Sequence, residues 1–171
     1  PYVKGDTVVV SGGARGVTAS CIIELAKNSS LSFAILGRTP LIEEPEIFQS
    51  FHSDVELKKA YLEHTKKIGK KITPQQLNRG VQRIVASREV VQTLETLQSM
   101  GSKATYYPVD VCHAETVHHT MEQVRKEYGR IDGVVHAAGV IADKTIHEKT
   151  EAQFEYVFNT KVLGFRNCLL Y

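Results

Sequence analysis

A short β-branched run at residues 7–10 breaks into Ser11-Gly12-Gly13-Ala14-Arg15-Gly16, and beyond it Val17, Ile22, Ile23, Leu25 and Ala26 recur at helical spacing. That order reads as strand, glycine turn, helix. Asn28-Ser29-Ser30 ends the helix, and residues 32–36 form a second apolar run stopped by Gly37-Arg38-Thr39-Pro40. A strand–helix–strand unit of this size points to a parallel sheet, because parallel neighbours need a crossover between them.

The alternation pauses over residues 40–87, which read as a helical insertion. Residues 54–68 look helical and mostly polar, and Thr73-Pro74-Gln75-Gln76 starts another helix, with Thr as N-cap, Pro at the first helical position and Gln three after the cap. That helix runs, with or without a break, to Met100-Gly101, and residues 89–100 are expected to be the next crossover helix, ended by Gly101. The repeat then resumes with strands at 104–107 and 132–136, separated by a helix with Val117, Met121, Val124 and Tyr128 on one face. A last helix capped by Thr150 aligns Phe154, Val157, Phe158, Val162, Phe165 and Leu169, a stripe expected to be buried. The fold class is therefore α/β: the N-terminal half of a doubly wound, Rossmann-like parallel sheet, with a helical insertion after the second strand. Four strands would leave the last, normally central, with an open edge prone to association.

Composition excludes several classes. The 171 residues are 42% hydrophobic and 23% charged, which is ordinary for a globular domain. No run of about 18 apolar residues could span a bilayer, and residues 1–5 do not open a secretory signal. The first residue is Pro rather than Met, as in a piece of a longer polypeptide. Three widely spaced cysteines, Cys21, Cys112 and Cys168, offer neither a disulfide framework nor a zinc site and suit a reducing, cytoplasmic compartment. His113, His118 and His119 lack metal-ligand spacing, so no metal is expected. Between Asp54 and Arg88 nine basic residues face three acidic ones, a net +6, which leaves −4 elsewhere within a total of +2. With one aromatic residue and no recognition motif, that basic segment does not read as a nucleic-acid site, and an acidic protein partner suits it better.

The turn at Ser11–Gly16 meets the needs of a pyrophosphate site: glycines allow close backbone approach, and the helix N-terminus offers unpaired N–H groups. It is not an NTPase phosphate loop, since no Lys-Ser or Lys-Thr pair follows, and Ala14 stands where G-x-G-x-x-G needs its second glycine. The residue after the second strand separates two coenzymes. An acid there would bind the ribose 2′-hydroxyl of NAD, whereas Arg accommodates the phosphate of NADP. Here it is Arg38, twenty-two residues past Gly16, with Arg15 as a second cation, so NADPH is the expected cofactor.

Ser11 to Thr18, Leu36-Gly37-Arg38, Asp110-Val111, His136-Ala137-Ala138-Gly139-Val140 and Lys161-Val162-Leu163-Gly164 occur in an order that resembles the ketoreductase domains of polyketide synthases. Those domains belong to the short-chain dehydrogenase/reductase superfamily, and the insertion looks most like that of bacterial polyunsaturated fatty acid synthases. The resemblance implies that Ser11, Gly12, Gly13, Ala14, Arg15, Gly16 and Val17 line the dinucleotide phosphates. Arg38 and Thr39 would meet the 2′-phosphate, Asp110 and Val111 the adenine, and Ala137, Ala138 and Gly139 the nicotinamide ribose. Thr18 departs from the superfamily's usual third glycine.

Lys161 falls on the apolar stripe, where a bare ammonium is costly, and the resemblance makes it the active-site lysine that binds nicotinamide ribose and lowers the pKa of a catalytic Tyr. None of the seven Tyr residues has Asn or Lys four positions later, and the expected Ser on a fifth strand is also absent. This segment alone is therefore expected to be inactive. Asp143 matches only the last acid of the Leu-Asp-Asp pattern associated with alcohol configuration.

The resemblance thus implies NADPH-dependent reduction of a 3-ketoacyl chain on an acyl carrier protein, with other domains of the same synthase as partners and no nucleic acid or membrane. Two alternatives remain open: a non-catalytic dinucleotide-binding or scaffold module, and a reductase of free small carbonyls.

Overall fold

A computed structural model describes Val3 and residues 5–170. In chain order the elements are β1 (Thr7–Ser11), α1 (Gly16–Asn28), β2 (Ser32–Gly37), α2 (Glu46–Gln49), α3 (Asp54–Lys67), α4 (Pro74–Ser99), β3 (Ala104–Pro108), α5 (Ala114–Tyr128), β4 (Gly133–His136), α6 (Glu151–Phe158), a π-helical turn (Asn159–Leu163) and α7 (Gly164–Leu170). The chain divides into two compact units, Pro1–Arg38 with Val90–Tyr171, and Thr39–Glu89. The division falls inside α4.

The first unit is built on a four-stranded sheet in the order β3-β2-β1-β4, with every neighbouring pair parallel. This is the α/β, Rossmann-like arrangement that the alternation of apolar runs anticipates. Period-two geometry sends alternate side chains of each strand to opposite faces. Val8, Val10, Phe33 and Ile35 pack with Ile22, Ala26, Val90 and Leu97 on one face. Val9, Ala34 and Leu36 pack with Val117, Met121, Val124 and Cys168 on the other. Val8, Val9 and Val10 are each 0% exposed, so each contributes about 1.5–3 kcal/mol of burial, and the run has no polar alternation because both faces are covered. Among the described residues β4 pairs only with β1 and lies at an edge, with all four residues half-buried.

The second unit has its own small core of Phe48, Leu57, Val81 and Ile84. Ser53 and Glu56 form a reciprocal capping box at the start of α3. Thr73 and Gln76 do the same for α4: the Gln76 amide N–H donates to the Thr73 hydroxyl at 3.2 Å, and the Gln76 side chain accepts from the Thr73 N–H at 2.8 Å. Arg88 ties the segment before α2 to α4, donating to the Glu44 carboxylate and to the carbonyls of Phe48 and Phe51.

One open alternative is decided and one expectation changes. The helix that starts at Pro74 runs unbroken to Ser99, so the insertion's last helix and the crossover helix at 89–100 are one element. No glycine or proline near position 88 interrupts it, and Gly80 is tolerated in mid-helix because the Tyr61 ring lies against it: an added Cβ would sit 2.4 Å from Tyr61 Cζ. Second, the aromatic stripe of the last helix is not buried. Phe154, Phe158, Val162, Phe165 and Leu169 are all exposed. The inward face is instead that of Thr160, Gly164, Asn167 and Cys168, with a π turn, whose hydrogen bonds span five residues rather than four, at Asn159–Leu163.

Candidate functional site

Parallel strands bring their C-terminal ends to one edge of the sheet, and the predicted residues follow those ends. Gly12 leaves β1 at φ +74, and its N–H donates to the Leu36 carbonyl at 2.8 Å. A Cβ there would lie 2.8 Å from Ala138 N and Cα, so only glycine lets the turn pass the β4 loop. The Ala137 N–H donates to the Ser11 carbonyl at 2.9 Å, and the Ala138 N–H to the Ser11 hydroxyl at 3.4 Å. These bonds stitch the end of β1 to the end of β4.

Gly13 and Ala14 face the core. A Cβ on Gly13 would meet Val10 Cγ1 at 2.4 Å, and the Ala14 carbonyl accepts from the Thr93 hydroxyl at 2.9 Å. Arg15, Gly16 and Val17 face solvent, with nothing within 4 Å of a Cβ placed on Gly16. No side chain caps α1, and its first turn holds no acid. Its first amide groups are thus directed at open space, the arrangement that receives an anion.

Arg38 stands at the end of β2. Its Nη1 donates to the Tyr156 hydroxyl at 3.1 Å, its guanidinium lies 5.8 Å from the centre of that ring, and Asp110 Oδ2 is 4.0 Å away. The bond to Tyr156, together with the carboxylate, holds Arg38 above even the usual arginine pKa. A cavity of about 100 Å³ lies beside it, lined by Gly12, Arg38, Asp110, Val111, Ala138 and Gly139 among others. Six of the predicted site residues therefore meet at one place. Thr39 belongs to the second unit.

Lys161 is exposed, contrary to its expected place in a buried stripe; its Nζ would lie only 3.0 Å from a Cβ on Gly139. The ammonium stays hydrated and needs no buried partner, while Gly139 leaves room for it. Asp143 lies exposed in the loop after β4.

His136 has a structural role that its sequence neighbours do not reveal. Its Nε2 is 3.0 Å from the Thr160 carbonyl and its Nδ1 2.7 Å from Ser11 Oγ. A carbonyl only accepts, so Nε2 carries the proton and Nδ1 accepts from the Ser11 hydroxyl. His136 thereby connects the glycine turn to the π turn that carries Lys161. Burial, assisted by the Lys161 charge, pushes its pKa below the ordinary histidine value and keeps it neutral. A polar ring at the end of an otherwise apolar strand is the one signal of this role in the sequence. Among the described residues no group of acids, histidines and cysteines could hold a metal, and no helix is long and apolar enough to cross a membrane.

Known proteins share this architecture. The family described as the KR domain matches residues 6–169. One component of the polyunsaturated fatty acid synthase of Thraustochytrium sp. is 34% identical over 97% of the chain, and polyketide synthase PksL of Bacillus subtilis is 34% identical over 42% of it. The chain spans only 6% and 2% of the lengths of those two relatives. Among solved structures, an N-terminal ketoreductase from the macrolactin assembly line superposes with a TM-score of 0.67 at 21% identity, covering 98% of this chain and 25% of that one. Carveol dehydrogenase from Mycobacterium avium, in complex with NAD, gives 0.65 at 18% identity, covering 98% and 48%. Because the family match takes in nearly the whole parallel sheet and both of the turns that meet at His136, the chain belongs to the KR domain family.

Proposed function

We propose that this chain binds NADPH for the reduction of a 3-ketoacyl thioester, carried by an acyl carrier protein, to the 3-hydroxyacyl thioester. The observation that carries the reading is Arg38: a guanidinium half open to solvent at the end of β2, with no acid beside it in sequence until Glu43. The residues fit the cofactor. The uncapped start of α1 and the open space at Gly16 suit its pyrophosphate, and Arg38 suits the 2′-phosphate. The bound coenzyme supplies the hydride. Gly12, Ser11 and Ala138 set the spacing of the two loops, Asp110 and Val111 line the adenine side, and Ala137 and Gly139 the ribose side. Lys161, beside Gly139, places a cation where it orients the ribose and favours the ionised form of a neighbouring phenol.

The relatives that are parts of large synthases support a place among other domains, with the basic segment of the second unit steering an acidic carrier.

Titration of the full-length protein tests the reading. NADPH should bind more tightly than NADH, and Arg38→Ala should weaken NADPH about 5- to 30-fold while leaving NADH unchanged. That range corresponds to about 1–2 kcal/mol for a half-exposed charge-assisted contact. Equal affinity for both coenzymes would overturn it. Selective NADPH binding without turnover of any ketoacyl thioester would favour a non-catalytic nucleotide module instead.

A further inference from the structure

The Thr39–Glu89 unit contains a cavity of its own, about 320 Å³, within the size range of small-molecule sites. Its inner wall is apolar. Phe48, 3% exposed, stacks on Tyr61 with ring centres 5.5 Å apart, and Ile84 closes the floor. Gly80 lets the Tyr61 ring lie flat on α4, since any side chain there would collide with the ring. A glycine in mid-helix costs about 1 kcal/mol relative to alanine, so its presence opposite this ring favours the cavity's shape over helix stability.

The rim has the opposite character. Lys70, Arg83 and His64 line the cavity, and no acidic residue does. Among the described residues neither the Lys70 nor the Arg83 side chain has a hydrogen-bond or ion-pair partner. The nearby end of α3 does not neutralise them. Its last carbonyls are already occupied: His64 accepts from the Ile68 N–H, Lys66 from Gly69 and Thr65 from Lys70, at 3.1, 3.0 and 2.8 Å. Two uncommitted cations over an apolar, aromatic pocket select a ligand with an anionic head and a hydrocarbon body.

We propose that this cavity binds a medium-chain carboxylate, its chain against Phe48, Tyr61 and Ile84 and its head between Lys70 and Arg83. Calorimetric titration of the full-length protein with hexanoate, octanoate, octanol and octyltrimethylammonium tests this. Octanoate should bind, and hexanoate, two methylenes shorter, about 15-fold more weakly, since each buried methylene is worth about fourfold. Octanol should bind at least about tenfold more weakly than octanoate, and the trimethylammonium not at all. Lys70→Glu with Arg83→Glu, both on the surface, should abolish octanoate binding and leave octanol unchanged. Ile72→Trp, filling the cavity from a half-exposed position, should exclude both probes. Absence of octanoate binding at millimolar concentration, or octanoate binding undiminished in the double variant, would overturn the proposal. The coenzyme titration of the other unit is read separately, so failure of either reading does not decide the other.

Discussion

Replacing His136 by Phe keeps the ring and its packing against Phe165, whose centre is 5.6 Å away, but removes both nitrogens. Two partners are then stranded. The Ser11 hydroxyl, on a residue 0% exposed, loses its acceptor, and the carbonyl of Thr160, 5% exposed, loses its donor. A buried polar group left without a partner costs about 1–3 kcal/mol. Ser11 retains the Ala138 N–H, and His136 is itself only half-buried, so water can reach part of the site and the sum is about 2–4 kcal/mol. That cost is local to the two turns. Hydrogen exchange of the full-length protein should therefore show the amides of residues 159–164 and 137–139 losing protection by roughly 30- to 1000-fold, with those of β2 unchanged. His136→Asn, with one donor and one acceptor on a shorter stem, should recover about half of the loss on the energy scale. The bond also fixes a pH dependence. The folded pKa of His136 lies below the unfolded value near 6.5, so the unfolded chain binds the proton more readily. The stabilisation is complete above that value, lost as pH falls through the folded pKa, and absent from His136→Phe. Protection of residues 159–164 within threefold of the wild type in the Phe variant would refute the argument.

Gly12→Ala places a Cβ 2.8 Å from the Ala138 backbone at φ +74 and should cost roughly 2–4 kcal/mol, read as a lower unfolding midpoint together with weaker coenzyme binding. Arg88→Ala removes the donors that serve Glu44 and the carbonyls of Phe48 and Phe51, and should cost about 3 kcal/mol within the second unit. Limited proteolysis should then cut residues 39–53 much faster while leaving the β-sheet unit intact.

What the residues disclosed and what they hid divide along physical lines. Val8, Val9 and Val10 are buried on both faces, so their run announced a strand of a parallel sheet, and Thr73 and Thr150 announced helix starts through local hydrogen bonds, whereas the Ser53 cap went unread. Gly12 and Arg38 were legible from the glycine turn and the residue after the second strand, Asp110 and Ala138 only through the family resemblance, and parallel topology brings all four to one cavity at the strand ends. The aromatic stripe misled for a different reason. Helical periodicity identifies a shared face but not which way that face points: Thr160 and Cys168 turn inward, while Phe154, Phe158 and Val162, equally regular in spacing, lie outside. His136 escaped because its role depends on partners at positions 11 and 160, which no local pattern connects.

Arg38 shows how two neighbours of one cation act with opposite sign. Its guanidinium has five N–H donors in a fixed plane, and Tyr156 takes one of them while its ring lies 5.8 Å beneath. The remaining donors stay available to a phosphate, so Tyr156 orients the group rather than competing for it. Asp110, 4.0 Å away, is a rival anion that a phosphate must outweigh. Tyr156→Phe should therefore weaken NADPH about 2- to 5-fold, the equivalent of a net hydrogen bond of about 0.5–1 kcal/mol, and leave NADH unaffected. Asp110→Asn should strengthen NADPH relative to NADH by a smaller factor, about twofold, because the pair is open to solvent. Fluorescence titration with both coenzymes separates the effects, and tighter NADPH binding in Tyr156→Phe would show that the phenol blocks the guanidinium instead of aiming it.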